Sequence, residues 1–289
     1  MVSWEGHILP FIVTVVVWFV ATGLVAWADN RPRSTFSRSQ MVGSISGIAG
    51  LVVILFASLS AEVWAIYLGF IGALMVWGWH EISFLTGAAA GPRRGPADPS
   101  LKGVARFRQA ASTVMHHEVA LALTALLLIS LSWNVPNQIG ASVFVLMFAM
   151  RLISKINLFV GVPNSSVEML PDHLAYLKSY FGPNRMTPLL AVSMMAIAST
   201  AVWFANAALA APVGSAQMVG ASLLFTLSLL GVIEHLFLSL PFRDGMLWGW
   251  ALPQSKLAQG KLAEAKVNVP GKRDIANVNM DAKGTPHGF

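Results

Sequence analysis

Seven stretches of mostly apolar residues divide this sequence, and each is long enough to cross a bilayer. A helix needs about 20 such residues to span the hydrocarbon core. Inside that core every backbone N–H and C=O must be satisfied within the segment, which leaves the α-helix as the conformation for a single apolar run. The runs cover residues 8–27, 42–60, 63–85, 119–133, 139–160, 186–207 and 219–240. The fourth reaches full length only when extended back through His116. The expected fold class is all-α: a polytopic membrane bundle of about seven helices over residues 1–252.

Composition agrees. Only 11% of the 289 residues are charged and 55% are hydrophobic, whereas a soluble domain carries roughly 25% charged residues. There is no cysteine. Disulfides, zinc ribbons, iron–sulfur clusters and thiol catalysis are excluded, and any metal must be held by His, Asp or Glu.

The loops define an orientation. Arg31, Arg33 and Arg38 follow span 1; Arg93, Arg94, Lys102, Arg106 and Arg108 follow span 3; Lys178 and Arg185 follow span 5. Seven more Lys and Arg follow span 7, from Arg243 to Lys283, while the alternate loops hold none. Basic loops stay in the cytoplasm, so the N-terminus is expected outside and the C-terminus inside. The leading "MVSWEGHILP" has no Lys or Arg and carries Glu5, unlike an export signal; span 1 is expected to be retained. Trp4, Trp27, Trp64, Trp133, Trp248 and Trp250 fall near span ends, where indoles favour the interface. Leu170, Leu174, Leu177 and Phe181 recur at α-helical spacing behind Pro171, which predicts a short interfacial helix. The Gly- and Pro-rich stretch 87–103 reads as a loop. Residues 253–289 read as a polar, mobile cytoplasmic tail.

Ionisable residues inside spans are costly, at least ~2.5–3.5 kcal/mol each, and persist only when paired or lining a polar cavity. Placed by depth, they form one layer near the cytoplasmic side. Span 3 contributes His80 and Glu81, span 4 contributes His116, His117 and Glu118 in its first turn, span 5 contributes Arg151 and Lys155, and span 7 contributes Glu234 and His235. Arg151 and Lys155 are four apart and share a helix face. The plainest reading is scaffolding, with two cations and one protonated His neutralising three carboxylates. A second reading is a metal site for iron, manganese or zinc on His80, Glu81, His116, His117, Glu118, Glu234 and His235. Its spacing is unlike the familiar sites, since neither Glu-x-x-His nor His-Glu-x-x-His occurs. A third is pigment binding: "MVWGWHE" (75–81) sets His80 beside Trp77, Trp79 and a Gly78 that leaves room for a flat ring. Transport is disfavoured, because the outer span halves hold no Asp, Glu, His, Lys or Arg beyond His7 and Glu62 at span ends. "GAAAGPRRG" lacks the Gly-Lys-Ser/Thr of a P-loop, and Ser165 and Ser166 show no partnered base.

Four longer motifs carry a family resemblance: "WGWHEISFLTGAAAGPRR", "HHEVAL", "MRLISKINLFVGVPN" and "LPDHLAYLKSYFGPNRMTPLL". In order, and over roughly residues 4–250, they resemble the PuhE-type photosynthetic complex assembly proteins of purple and related phototrophic bacteria. The resemblance implies a multi-pass protein of the inner, or intracytoplasmic photosynthetic, membrane. It would act without catalysis in assembling reaction-centre and light-harvesting complexes or in handling bacteriochlorophyll or a tetrapyrrole precursor. Its expected partners are the lipid bilayer and those subunits, not nucleic acid. The pigment-contacting candidates are then His80, His117 and His235 as axial ligands, with Trp77, Arg151 and Lys155; the two cations would meet propionate or carboxylate groups. Glu81, Glu118 and Glu234 would orient the histidines or pair with the cations. The alternatives are a membrane metalloenzyme acting on a lipid or tetrapyrrole, and a purely structural subunit beside reaction-centre or antenna helices.

Overall fold

The computed structural model describes residues 2–165, 170–240 and 247–252. The expected tail at 253–289, Arg243 and Ser166 lie outside the described residues. Seven long helices are present: α1 (Leu9–Asp29), α2 (Phe36–Ser58), α3 (Val63–Leu85), α4 (Gly103–Leu131), α5 (Ile139–Val160), α6 (Pro188–Ala210) and α7 (Ala216–Ser239). All seven are long and apolar enough to cross a membrane, and no strand occurs among the described residues. The chain is a polytopic helical membrane bundle.

The helices outrun the apolar runs where polar residues have something to hold. α2 begins at Phe36 rather than 42, because Gln40 anchors its first turns to the end of α3: its side chain reaches Thr86 Oγ1 and the Ile82 carbonyl (3.3 Å), and Ser83 Oγ donates to it at 3.2 Å. α4 departs furthest from expectation. Its 29 residues make a rod about 43 Å long, so His116, His117 and Glu118 lie near its middle and not in its first turn. The apolar pattern marks only the part of a helix that touches lipid.

α3 lies at the centre and packs against α1, α2, α4, α5 and α7. Lipid is as apolar as leucine, so helices here associate through close van der Waals fit rather than water exclusion. The tightest fit is between α2 and α3. A Cβ added at Gly50 would sit 2.7 Å from the Gly72 carbonyl oxygen, and one at Gly72 would sit 2.9 Å from the Gly50 oxygen. Phe70, Phe144, Leu121, Leu128, Leu223 and Leu227 fill the interior. Ile45, Ile48 and Val52 on α2, and Leu123 and Leu126 on α4, are exposed, as a bilayer-facing surface requires.

The segment Asp172–Tyr180 is helical, but it is a 3₁₀ helix and its inward face has a different period. Leu174, Leu177 and Tyr180 are its buried residues; they recur every third position, as three residues per turn demands. The stretch 87–103 is held against its neighbours. Gly91 N–H donates to the Thr113 carbonyl (2.8 Å), His116 Nδ1 donates to the Ala90 carbonyl (2.7 Å), and Tyr180 OH donates to the Gly95 carbonyl (2.9 Å). Arg93 donates to Tyr180 Oη (2.7 Å) and the Pro96 carbonyl (2.9 Å), so it serves this loop. Trp4, Trp27, Trp64, Trp133 and Trp250 are exposed, but Trp248 is 3% exposed. Its indole N–H donates to the Phe19 carbonyl at 2.9 Å and its ring stacks on Phe19. It is an interior residue, not an interfacial one.

Candidate functional site

A cavity of about 780 Å³ opens between α1, α3, α4, α5 and α7, with the 3₁₀ segment and Trp248 completing its wall. Most of that wall is apolar. Trp18, Trp77, Phe84 and Trp248 give it aromatic surface. Gly78 also faces it, and a Cβ added there would meet nothing within 4 Å. Gly78 is therefore not small to let helices touch; its missing side chain enlarges the cavity.

Across this wall runs a band of charge: Asp29, Glu81, Glu118, Arg151, Lys155 and Glu234. The ion pairs explain why the helices converge there. Arg151 on α5 bridges Glu81 on α3 (3.4 Å) and Glu234 on α7 (3.6 Å). Lys155, one turn further along α5, pairs with Glu118 on α4. Each charged side chain of α3, α4, α5 and α7 in the band thereby gains a partner of opposite sign, which lowers its cost within a span. Both cations are engaged by carboxylates of the chain itself, which alters the expectation that they meet acidic groups of a ligand.

The histidines stand behind this wall. His80 Nε2 shares a hydrogen bond with Thr124 Oγ1 at 3.0 Å, linking α3 to α4. His117 is 0% exposed, with its ring 4.7 Å from that of Phe84 and 6.5 Å from that of His80. Neither of its nitrogens has a hydrogen-bond partner among the described residues. His235 Nδ1 donates to the Gly231 carbonyl of its own helix at 2.8 Å, and its Nε2 is buried and unpartnered. His116 serves the α3–α4 loop. None of the four lines the cavity. Trp77, Arg151 and Lys155 do.

The donor set drawn up for a metal does not converge. Among the described residues no three of His, Asp and Glu come close enough to hold an ion. The physical reason is the band itself: the three glutamates turn toward Arg151 and Lys155, and the imidazoles turn away from them.

One wall residue has no counterpart in the sequence-based set. Asp29, the last residue of α1, is 3% exposed, and neither carboxylate oxygen has a hydrogen-bond partner among the described residues. It lies two positions past the apolar run, in the stretch "ADNRPR", where a carboxylate beside arginines reads as a solvated loop residue. No local signal marks it; α1 simply continues for two more residues and carries it to the cavity.

A flat, apolar macrocycle fits these surroundings. The volume is in the range of ligand pockets, roughly 300–1,000 Å³, aromatic rings line it, and Gly78 leaves a face open.

The chain resembles known sequences over nearly its whole length. A curated relative from Rhodobacter capsulatus, described as an uncharacterized 30.4 kDa protein in the puhA 5′ region, is 34% identical over 269 residues, covering 91% of this chain and 96% of the relative. No solved structure matches. The family model described as "Protein of unknown function (DUF3623)" matches residues 5–259, and the chain therefore belongs to the DUF3623 family.

Proposed function

We propose that this chain is a non-enzymatic membrane factor for assembly of the bacterial photosynthetic apparatus. Its cavity would hold bacteriochlorophyll or a tetrapyrrole precursor while reaction-centre or light-harvesting subunits are put together in the inner or intracytoplasmic membrane. The observation that carries the reading is the cavity: about 780 Å³, walled by apolar and aromatic side chains, and opened by Gly78. Two further points support it. The Rhodobacter capsulatus relative is described by its place in the puhA 5′ region, and the motifs around His80, His117, Arg151 and His173 resemble PuhE-type assembly proteins.

Within this reading the chain's residues bind and shield. Trp77 and Phe84 on α3 and Trp18 on α1 offer ring faces, which suit offset stacking at centroid distances of roughly 4.5–7 Å. The bound group would supply light absorption; the protein would supply a dry site that separates a reactive pigment from its neighbours. The Arg151 and Lys155 ion pairs hold four helices around that site.

The test is absorption spectroscopy with elemental analysis on one detergent-purified sample from a phototrophically grown host. The expected result is a near-infrared bacteriochlorophyll band near one equivalent with no transition metal. A colourless sample carrying iron, manganese or zinc would replace this reading with the metalloenzyme. A colourless, metal-free sample would leave the charged band as scaffolding alone.

A further inference from the structure

The wall of the cavity carries buried oxygen atoms whose bonding is unmet among the described residues. Four carboxylates line it, Asp29, Glu81, Glu118 and Glu234, against two cations, Arg151 and Lys155. Each of the three glutamates is paired with a cation, Arg151 being shared by Glu81 and Glu234. Asp29, 3% exposed, has no such partner, and both its oxygens are unpartnered among the described residues. Glu81 Oε1 and Glu118 Oε2 on the same wall are buried and unpartnered as well. A buried acceptor without a donor is strongly disfavoured, and here the unmet acceptors outnumber the unmet donors. What the wall offers an occupant is unengaged oxygen atoms.

We propose that Asp29 is the polar contact of the cavity and that it selects a magnesium-centred tetrapyrrole over the metal-free macrocycle. The proposal rests on the reading that the cavity holds a tetrapyrrole. The donor chemistry points to magnesium. Mg²⁺ is a hard cation that takes oxygen ligands, whereas imidazole suits iron, zinc and copper. Oxygen donors stand on this wall, and the imidazoles of His80, His117 and His235 stand off it. Asp29 is the one carboxylate there that no basic side chain has already engaged. Trp18 and Trp77 on the same wall offer aromatic surface to receive the ring.

Detergent-purified full-length protein is titrated with magnesium protoporphyrin and, separately, with metal-free protoporphyrin, which carries the same propionates. Tryptophan quenching and the Soret band are read together. The expected result is at least a tenfold tighter Kd for the magnesium form, with a Soret shift on binding. Asp29→Leu, which removes every side-chain oxygen at that point, should abolish that preference, and Asp29→Asn, which keeps one oxygen but no charge, should weaken it. A preference retained in both variants, or absent from the wild type, overturns the role of Asp29 while cavity binding stands. Gly78→Trp separates the two ideas, because it fills the cavity from a position that touches nothing. It should abolish binding of both porphyrins, and unchanged binding in a folded Gly78→Trp protein would overturn the cavity reading itself.

Discussion

At the scale of the residue, a buried polar group is costly or harmless according to whether its partner remains. Lys155 and Glu118 are joined, with about a fifth of each side chain accessible. Lys155→Met leaves Glu118 charged and alone, and should lower stability by about 2–3 kcal/mol, toward the low end for breaking a buried pair. The double variant Lys155→Met/Glu118→Leu should recover most of that loss. Thermal melting in detergent checks both; an equally damaged double variant would mean the side chains act by shape. His117 gives the contrast. Neither ring nitrogen has a partner among the described residues, so His117→Leu forfeits no hydrogen bond there and should change stability by no more than about 1.5 kcal/mol, as volume-conserving core swaps do. Asn157 is equally buried but donates to Ser193 Oγ across α5 and α6 at 3.0 Å. Asn157→Leu removes that bond between α5 and α6, while Ser193 Oγ keeps its bond to the Leu189 carbonyl at 2.8 Å, and should be the more damaging of the two in the same melt.

At the scale of the element, the glycines of α3 divide into two kinds that composition cannot tell apart. Gly72 meets the α2 backbone, while Gly78 meets open space. Gly72→Leu should push α2 away from α3 and lower the melting temperature sharply. Gly78→Ala should be neutral or stabilising by up to about 1 kcal/mol, since alanine is the better helix former. Similar losses from both would contradict the close approach at Gly50 and Gly72. The 3₁₀ segment teaches a related lesson. α-Periodicity selects Leu170, Leu174, Leu177 and Phe181, whereas the chain buries Leu174, Leu177 and Tyr180. Tyr180 faces inward because its hydroxyl ties the 3₁₀ segment to the α3–α4 loop, accepting from Arg93 and donating to the Gly95 carbonyl, a tertiary demand that outweighs hydrophobicity.

At the scale of the molecule, orientation is a property of the loops. The cysteine-free sequence is a ready background for testing it. Ser100→Cys in the exposed basic loop and Ala61→Cys in the exposed opposite loop should be labelled by a membrane-impermeant maleimide from opposite sides of sealed vesicles, Ser100→Cys from the cytoplasmic side. Labelling of both from one side would refute the seven-span topology, and the reverse sidedness would refute the positive-inside assignment.

The bundle was legible from the sequence because bilayer thickness imposes a length and a hydropathy on each span independently of its neighbours. The charged layer was legible as a set of depths for the same reason: position along a span fixes height in the membrane. Which side chains meet at that height was not. Rotation about each helix axis turned the glutamates toward Arg151 and Lys155 and turned His80, His117 and His235 behind the wall, and that rotation is set by packing against other helices. Asp29 shows the limit most plainly. Nothing in its neighbourhood along the chain separates it from a solvated loop carboxylate; only the fold buries it against a cavity made by helices far away in sequence.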